Sequence, residues 1–370
     1  MIGRVAIVVL LVSSACKPDA PRVAPGPAVA PTTYEITSEE VTLTVGPRSI
    51  PGTLVVPKGT GPFPGLVLLA GSGPTDRDWN SPLLQTTNGS GKLLAEALGR
   101  RGVIVLRFDK AGSGKNPGPP LADWTIDTYS EEGLAALSHV LSRSDVRTGR
   151  VFLAGHSEGG IHATRVAQIA GTTIAGILYL SSAARSMTDT LLTQLENQLA
   201  NAAKTHPLAG LSEADVVTQM DALRRAFDDF HAGRAVDPTA VSKIPQVQQL
   251  VAQLVNPATA TLSRELFAFD NAVVATRLKI PVFILGGGKD IQVDPEIDTR
   301  YLDRSLRARN PDVTLHIAPD ADHVLKHETK SVAQLRADLV TVQNRYNADD
   351  RTLDEDALGA IAAWLGSRTR

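Results

Sequence analysis

The chain contains a single cysteine, Cys16, so it can form no intramolecular disulfide. It also lacks an excess of charge, since 37 Lys and Arg residues against 39 Asp and Glu residues give a formal net charge of -2. Neither nucleic acid nor an anionic membrane surface is therefore expected as a partner. The apolar run at residues 5–12 is too short to predict a transmembrane helix.

Motifs for cofactors and metals are missing as well. No Gly-x-Gly-x-x-Gly opens a helix, and neither His-Glu-x-x-His nor a cysteine cluster is present. Residues 111–116 look like part of a phosphate loop, but Asp109 replaces its first glycine and Asn116 replaces its Ser or Thr. We therefore expect no cofactor and no metal.

The composition is that of an ordinary globular protein. The 370 residues are 43% hydrophobic and 21% charged, which suits one large α/β domain with room for an inserted subdomain.

The N-terminus has the features of an export signal. Residues 1–15 combine Arg4, an apolar stretch and the small residues Ser-Ser-Ala, as in a signal peptide. Residues 11–16 resemble a lipobox, with Ser13 where leucine is usual, and this predicts a lipid on Cys16 and an envelope lipoprotein. A secreted or periplasmic form and a non-exported protein are the alternatives. The proline-rich residues 16–33 would tether the folded domain to the membrane.

The hydrophobic pattern predicts an α/β fold. Residues 35–45 and 50–56 suggest an antiparallel pair of opening strands. Further apolar runs predict buried strands of a doubly wound, mostly parallel sheet. These runs cover residues 65–70, 103–108, 151–154, 174–180, 281–285 and 313–317.

Between residues 180 and 280 the pattern changes to amphipathic helices. One helical face is predicted to carry Val216, Met220, Leu223, Phe227 and Phe230, which step by four and three. We therefore expect a core at 34–181 and 278–370 with a helical cap inserted at 182–277. Because this cap leaves the core just after a strand, it should roof the carboxyl ends of the strands, where open α/β sheets bind their ligands.

A Gly-x-Ser-x-Gly pattern occupies residues 155–159, between the predicted strand at 151–154 and a predicted helix. This strand–turn–helix context is that of a nucleophile elbow, with Ser157 as the nucleophile. His156, beside it, is expected to be a packing residue. His162, on the helix, is expected to be an ordinary surface histidine.

A serine hydroxyl needs a base to take its proton and an acid to orient that base. In this topology the acid and then the histidine follow the nucleophile, each after a late strand. Asp290 is the preferred acid and Asp294 the alternative, while His323 is the preferred base and His327 the reserve.

An oxyanion intermediate requires two backbone donors. We assign the amides of Glu158 and Ser72, with Gly73 as the reserve for Ser72. The Glu158 carboxylate would repel the oxyanion, so a cation should pair with it. Arg77 is favoured over Lys110 for this pairing.

Taken together, these motifs resemble the α/β-hydrolase superfamily, and within it bacterial carboxylesterases. The resemblance covers about residues 35–368 and departs from the family's usual pattern at Trp79 and Ala111. Four segments match the family's patterns: Gly-Ser-Gly-Pro-x-Asp-Arg-Asp at 71–78, x-Leu-Arg-Tyr-Asp-Lys-x-Gly at 105–112 (with Phe108 in this chain in place of the tyrosine), Gly-His-Ser-Glu-Gly-Gly at 155–160 and Gly-x-x-Asp-x-Gln-Val at 287–293.

The resemblance implies a serine hydrolase that cleaves small-molecule esters with short acyl chains through an acyl-enzyme. Trp79 would narrow the acyl site. An acyltransferase or a peptidase on the same scaffold is the alternative, although prolyl peptidases usually have Trp after the nucleophile, where this chain has Glu158. A catalytically dead binding protein is a further alternative, but all three triad candidates are present.

Overall fold

The computed structural model describes residues 33–205 and 212–369. The predicted signal peptide at 1–15, lipidated Cys16 and nearly all of the 16–33 linker lie outside these residues. They stay predictions, which the mass of the mature N-terminus would test.

Eight strands form one sheet in the order β1-β2-β4-β3-β5-β6-β7-β8. The strands are β1 (Ile36–Val45), β2 (Arg48–Pro57), β3 (Phe63–Leu69), β4 (Ile104–Phe108), β5 (Val146–His156), β6 (Gly176–Leu180), β7 (Val282–Gly287) and β8 (Val313–Ala318). Both β1–β2 and β2–β4 pair antiparallel, and the remaining pairs are parallel. The predicted mostly parallel sheet with an antiparallel opening pair is confirmed.

Thirteen α-helices lie in the described ranges. They are α1 (Ser90–Gly99), α2 (Ile126–Leu141), α3 (Gly159–Ala170), α4 (Met187–Thr205), α5 (Glu213–His231), α6 (Pro238–Val241), α7 (Pro245–Leu254), α8 (Ala260–Ala268), α9 (Asn271–Ala275), α10 (Arg300–Arg307), α11 (Val332–Ala337), α12 (Leu339–Asn344) and α13 (Glu355–Arg368). None of them is both long enough and apolar enough to cross a bilayer.

Helices cover both faces of the sheet, which is why the central strands are continuously apolar rather than alternating. On one face, α2, α3, α9 and α10 bury side chains against the strands. On the other face, α1 and α13 do so through residues such as Leu94 and Trp364. The carboxyl ends of the parallel strands are thereby fixed at one edge, where the loops that carry the site begin.

The interval from β6 to β7 holds α4 to α9 and no strand among the described residues. Helices α4, α5 and α7 share an apolar cluster of their own, and α5 and α8 pack towards the core. The predicted face of α5 is buried in these clusters, from Val216 to Phe230.

A second helical segment follows β8. Helices α11 and α12 precede α13 and contribute Leu335 and Val342 to a small apolar cluster with Ile291 and Val324, and Tyr346, just after α12, belongs to the same cluster. The sequence interpretation treated this stretch as part of the core and did not single out these helices.

Candidate active site

Ser157 lies on the turn between β5 and α3. Its φ of 53° falls in the left-handed region, which is strained for a residue with a Cβ. The turn is held by the Ser157 N–H, which donates to the Leu180 carbonyl at 3.0 Å. It also requires glycine at 159, because a Cβ there would lie 2.4 Å from the Leu69 carbonyl oxygen.

Asp290 and His323 meet in the loops that follow β7 and β8. The His323 Nδ1 lies 2.9 Å from the Asp290 Oδ2, and both side chains are buried. The other carboxylate oxygen accepts the N–H groups of Gln292 at 2.8 Å and Val293 at 2.9 Å. With its Nδ1–H donated to Asp290, the imidazole keeps Nε2 as an acceptor, which is the tautomer that a general base needs.

The environment of His323 shifts its basicity. Burial by itself lowers the pKa of the imidazole. The charge and hydrogen bond of Asp290, together with the charge of Asp322, outweigh burial and raise that pKa above its ordinary value.

Ser157 and His323 line one cavity of about 330 Å³, here called the triad cavity. Residues 71–75, Trp79, Gln292 and Tyr346 also lie on its wall. Trp79 is thus on the wall of the cavity that holds the serine and the histidine.

The two proposed oxyanion donors flank the nucleophile. Glu158 directly follows Ser157, and the 71–75 loop passes so close that a Cβ on Gly71 would lie 3.2 Å from the Ser157 Cβ. Within the described part of the chain, the amides of Glu158 and Ser72 donate to no other group. Both N–H groups are therefore available to a bound oxyanion, and the assignment stays a prediction.

The alternative acid and base lie elsewhere. Asp294 accepts the amides of Glu296 and Ile297 at the start of a single helical turn, and its carboxylate lies 3.2 Å from Arg336. His327 is half-exposed and its Nδ1 lies 3.0 Å from Asp354. Neither contacts the other triad candidates.

His156 packs as the sequence predicted. It stacks on Trp79 with ring centroids 4.3 Å apart, and its Nε2 lies 2.8 Å from the His323 carbonyl oxygen. Burial, with the neighbouring His323 charge, lowers the pKa of His156 to about 3. The neutral ring therefore donates Nε2–H to that carbonyl and supports the His323 backbone.

The predicted partner of Glu158 is wrong in part. Arg77 instead forms a two-point contact with Asp109, at 3.1 and 3.0 Å, and also pairs with Glu40. The planar guanidinium matches a carboxylate in this geometry, so Arg77 pairs with Asp109. The cation that pairs with Glu158 is therefore Lys110.

Lys110 lies 3.7 Å from the Glu158 Oε1, with both side chains buried. The same oxygen lies 3.3 Å from the Nε2 of His162. His162 is only 2% exposed, so the expectation of a surface histidine is wrong. Burial alone raises the pKa of Glu158, but Lys110 and His162 outweigh burial and hold that pKa below its ordinary value.

Gln292 and Tyr346 belong to the site but were not proposed from the sequence. The Gln292 Nε2 donates to the Tyr346 hydroxyl at 3.0 Å, and the tyrosine ring lies 6.4 Å from that of His323. Gln292 falls inside the 287–293 motif, which was a usable signal. Tyr346 follows α12, and no pattern in the sequence marks it.

A second cavity, of about 460 Å³, lies between the core and the inserted helices and is called the cap cavity. Ser72, Gly73 and Pro74 line both cavities. The other residues of the cap cavity are mostly apolar. They are Lys110, Ala111, Gly112, Trp124, Tyr129, Glu158, Met187, Leu191, Leu254, Thr259, Leu262, Ser263, Leu266 and Phe267.

Comparison with known proteins identifies the family. A model of the alpha/beta hydrolase family matches residues 66–335. The chain belongs to the alpha/beta hydrolase family. It is 27% identical over 332 residues to the esterase EstD of Thermotoga maritima, across 88% of this chain and 67% of EstD.

Solved structures of this alpha/beta hydrolase fold align with most of the chain. An esterase of Pyrococcus furiosus has a TM-score of 0.53 at 15% identity, over 91% of this chain and 92% of that one. A proline iminopeptidase of Mycobacterium smegmatis has a TM-score of 0.51 at 16% identity, over 90% and 99%. At this level of identity the similarity concerns the fold alone.

Proposed function

We propose that the protein is a serine esterase that cleaves short-chain carboxylic esters through an acyl-enzyme. The observation that carries the proposal is that His323, which contacts Asp290 at 2.9 Å, lines the same cavity as Ser157. The likeness to EstD supports an ester as the substrate.

The residues have separate roles in the reaction. His323 Nε2 takes the proton of the Ser157 hydroxyl as its oxygen attacks the ester carbonyl carbon. The amides of Glu158 and Ser72 stabilise the negative charge on the carbonyl oxygen. His323 then gives the proton to the leaving alcohol, and water cleaves the acyl-enzyme by the same steps.

Two substitutions test this proposal. Ser157→Ala and His323→Ala should each lower kcat on p-nitrophenyl butyrate by at least about a thousandfold, because serine and base act as one unit. His327→Ala is the matched control and should keep the wild-type rate, since that histidine pairs with Asp354 away from the triad cavity. Thermal melts check folding, and full activity in either triad variant would reject the proposal.

An acyltransferase or a peptidase would use the same triad, so product analysis separates them from an esterase. The proposal predicts that water remains the main acyl acceptor when alcohols or amines compete for the acyl-enzyme. It also predicts that short acyl esters react faster than those of about twelve carbons, because the cavities are in the small-molecule range.

A further inference from the structure

The triad cavity and the cap cavity share the loop at 72–74 as part of their walls. The acid–base chemistry of the reaction indicates which part of the substrate each cavity binds. In the proposed esterase reaction, on which this inference rests, His323 protonates the leaving alcohol and must touch its oxygen. His323 lines the triad cavity and not the cap cavity. The alcohol therefore occupies the triad cavity, and the acyl chain, on the other side of the carbonyl carbon, extends into the cap cavity.

Lys110 is a buried cation on the wall of the cap cavity, only 4% exposed, and its N–H donors have no acceptor at hydrogen-bond distance among the described residues. The groups nearest to its Nζ are the Glu158 Oε1 at 3.7 Å and the face of the Tyr129 ring, 4.7 Å from its centroid. An ammonium has three N–H donors, and at most one of them can point at the Glu158 carboxylate, so the others remain available to an oxygen of a bound ligand.

The charges around Lys110 define which oxygen would fit. Glu158 lines the same cavity, so a carboxylate on the acyl chain would be repelled. A cation on the chain would be repelled by Lys110 itself. A plain alkyl chain fits the apolar wall but leaves the ammonium unsatisfied.

We propose that the cap cavity binds the acyl part of the substrate and that Lys110 donates a hydrogen bond to a neutral oxygen on that chain. The preferred substrates are then esters of acids that carry a hydroxyl or keto group, rather than simple alkanoates or half-esters of diacids. In this arrangement Trp79 bounds the alcohol side, which differs from the sequence-based expectation that it narrows the acyl site.

The test compares substrates within one enzyme preparation. p-Nitrophenyl alkanoates of one chain length are assayed without a substituent, with a hydroxyl at each carbon in turn, and with a terminal carboxylate. Wild-type kcat/KM should be about tenfold or more higher for one hydroxyl position than for the plain ester, as a hydrogen bond to a charged group allows. The carboxylate analogue should be slower than the plain ester.

Lys110→Met should bring the ratio of hydroxylated to plain ester close to one while the plain ester is still cleaved. The single change leaves Glu158 buried without its cation, which can disturb the site by itself. The double variant Lys110→Met/Glu158→Gln removes both charges and should also give a ratio of hydroxylated to plain ester close to one. Lys115→Met removes an equal charge from an exposed position on the same loop and should keep the wild-type ratio.

A wild-type ratio near one at every position would overturn the inference, as would a high ratio that survives in both Lys110 variants. A carboxylate analogue that reacts fastest would overturn the choice of a neutral oxygen. In each of these cases the protein still hydrolyses esters. Failure of the proposed function gives a different result, because no ester is then cleaved at all.

Discussion

At the scale of single residues, the basicity of His323 is set by groups that oppose one another. Burial favours the neutral imidazole, and Asp290 with Asp322 favours the imidazolium more strongly, so the pKa lies above its ordinary value. Since the neutral form is the base in the proposed reaction, we expect activity to be lost as pH falls through this raised pKa.

Asp290→Asn should therefore change both the rate and its pH dependence. We expect kcat/KM to fall by about 10⁴-fold, because an amide does not hold the imidazole in the required tautomer. We also expect the acid limb of the profile to move to lower pH, because the carboxylate that raises the His323 pKa is gone. Asp294→Asn should match the wild type, and the reverse pattern would make Asp294 the acid.

The pairing of Glu158 shows that a sequence can predict the need for a cation without predicting which residue supplies it. The need for a cation follows from the chemistry of the oxyanion, and a cation is present. Which cation it is depends on Asp109, whose two oxygens bind the Arg77 guanidinium. Sequence spacing contains no information about this competition. The contact between Glu158 and His162 is a different case, because their i,i+4 spacing at the start of α3 was a usable signal.

At the scale of elements, Gln292 joins three parts of the chain. Its N–H donates to Asp290, and its side chain donates to Tyr346 beyond α12. Its carbonyl oxygen accepts from Gln194 on α4 at 2.9 Å. The acid loop is thus connected both to the inserted helices and to the segment that follows β8.

The segment after β8 is fixed to the base loop by a buried ion pair. Arg351 lies 2.7 Å from the Asp322 Oδ2 and also donates to the His327 carbonyl oxygen at 2.8 Å. Both charged side chains are less than a tenth exposed.

Arg351→Met should lower the free energy of unfolding by about 3 kcal/mol or more, because Asp322 is then buried without its partner. Arg300→Met is a suitable control, since it breaks an exposed pair with Glu296 and should change little. Chemical denaturation at neutral pH measures both. An Arg351→Met protein as stable as the wild type would show that the pair does not hold this segment.

At the scale of the whole molecule, the core of the fold could be predicted because buried parallel strands leave uninterrupted apolar runs. The positions of Ser157, Asp290 and His323 could also be predicted, since each follows the end of a strand. The helices α11 and α12 after β8 could not be predicted, because each has only six residues. A segment this short does not show the repeat of apolar residues that marks a longer amphipathic helix. Tyr346 was missed for this reason.

The central claim is that Ser157 is the nucleophile, and labelling with a fluorophosphonate tests it most directly. Trypsin releases Ser157 in the peptide 151–165, so peptide mass spectrometry locates the label. We predict one equivalent of label per chain, placed on Ser157, with esterase activity lost in proportion, and no labelling of Ser157→Ala. A label on another residue, or full activity in completely labelled protein, would contradict the claim.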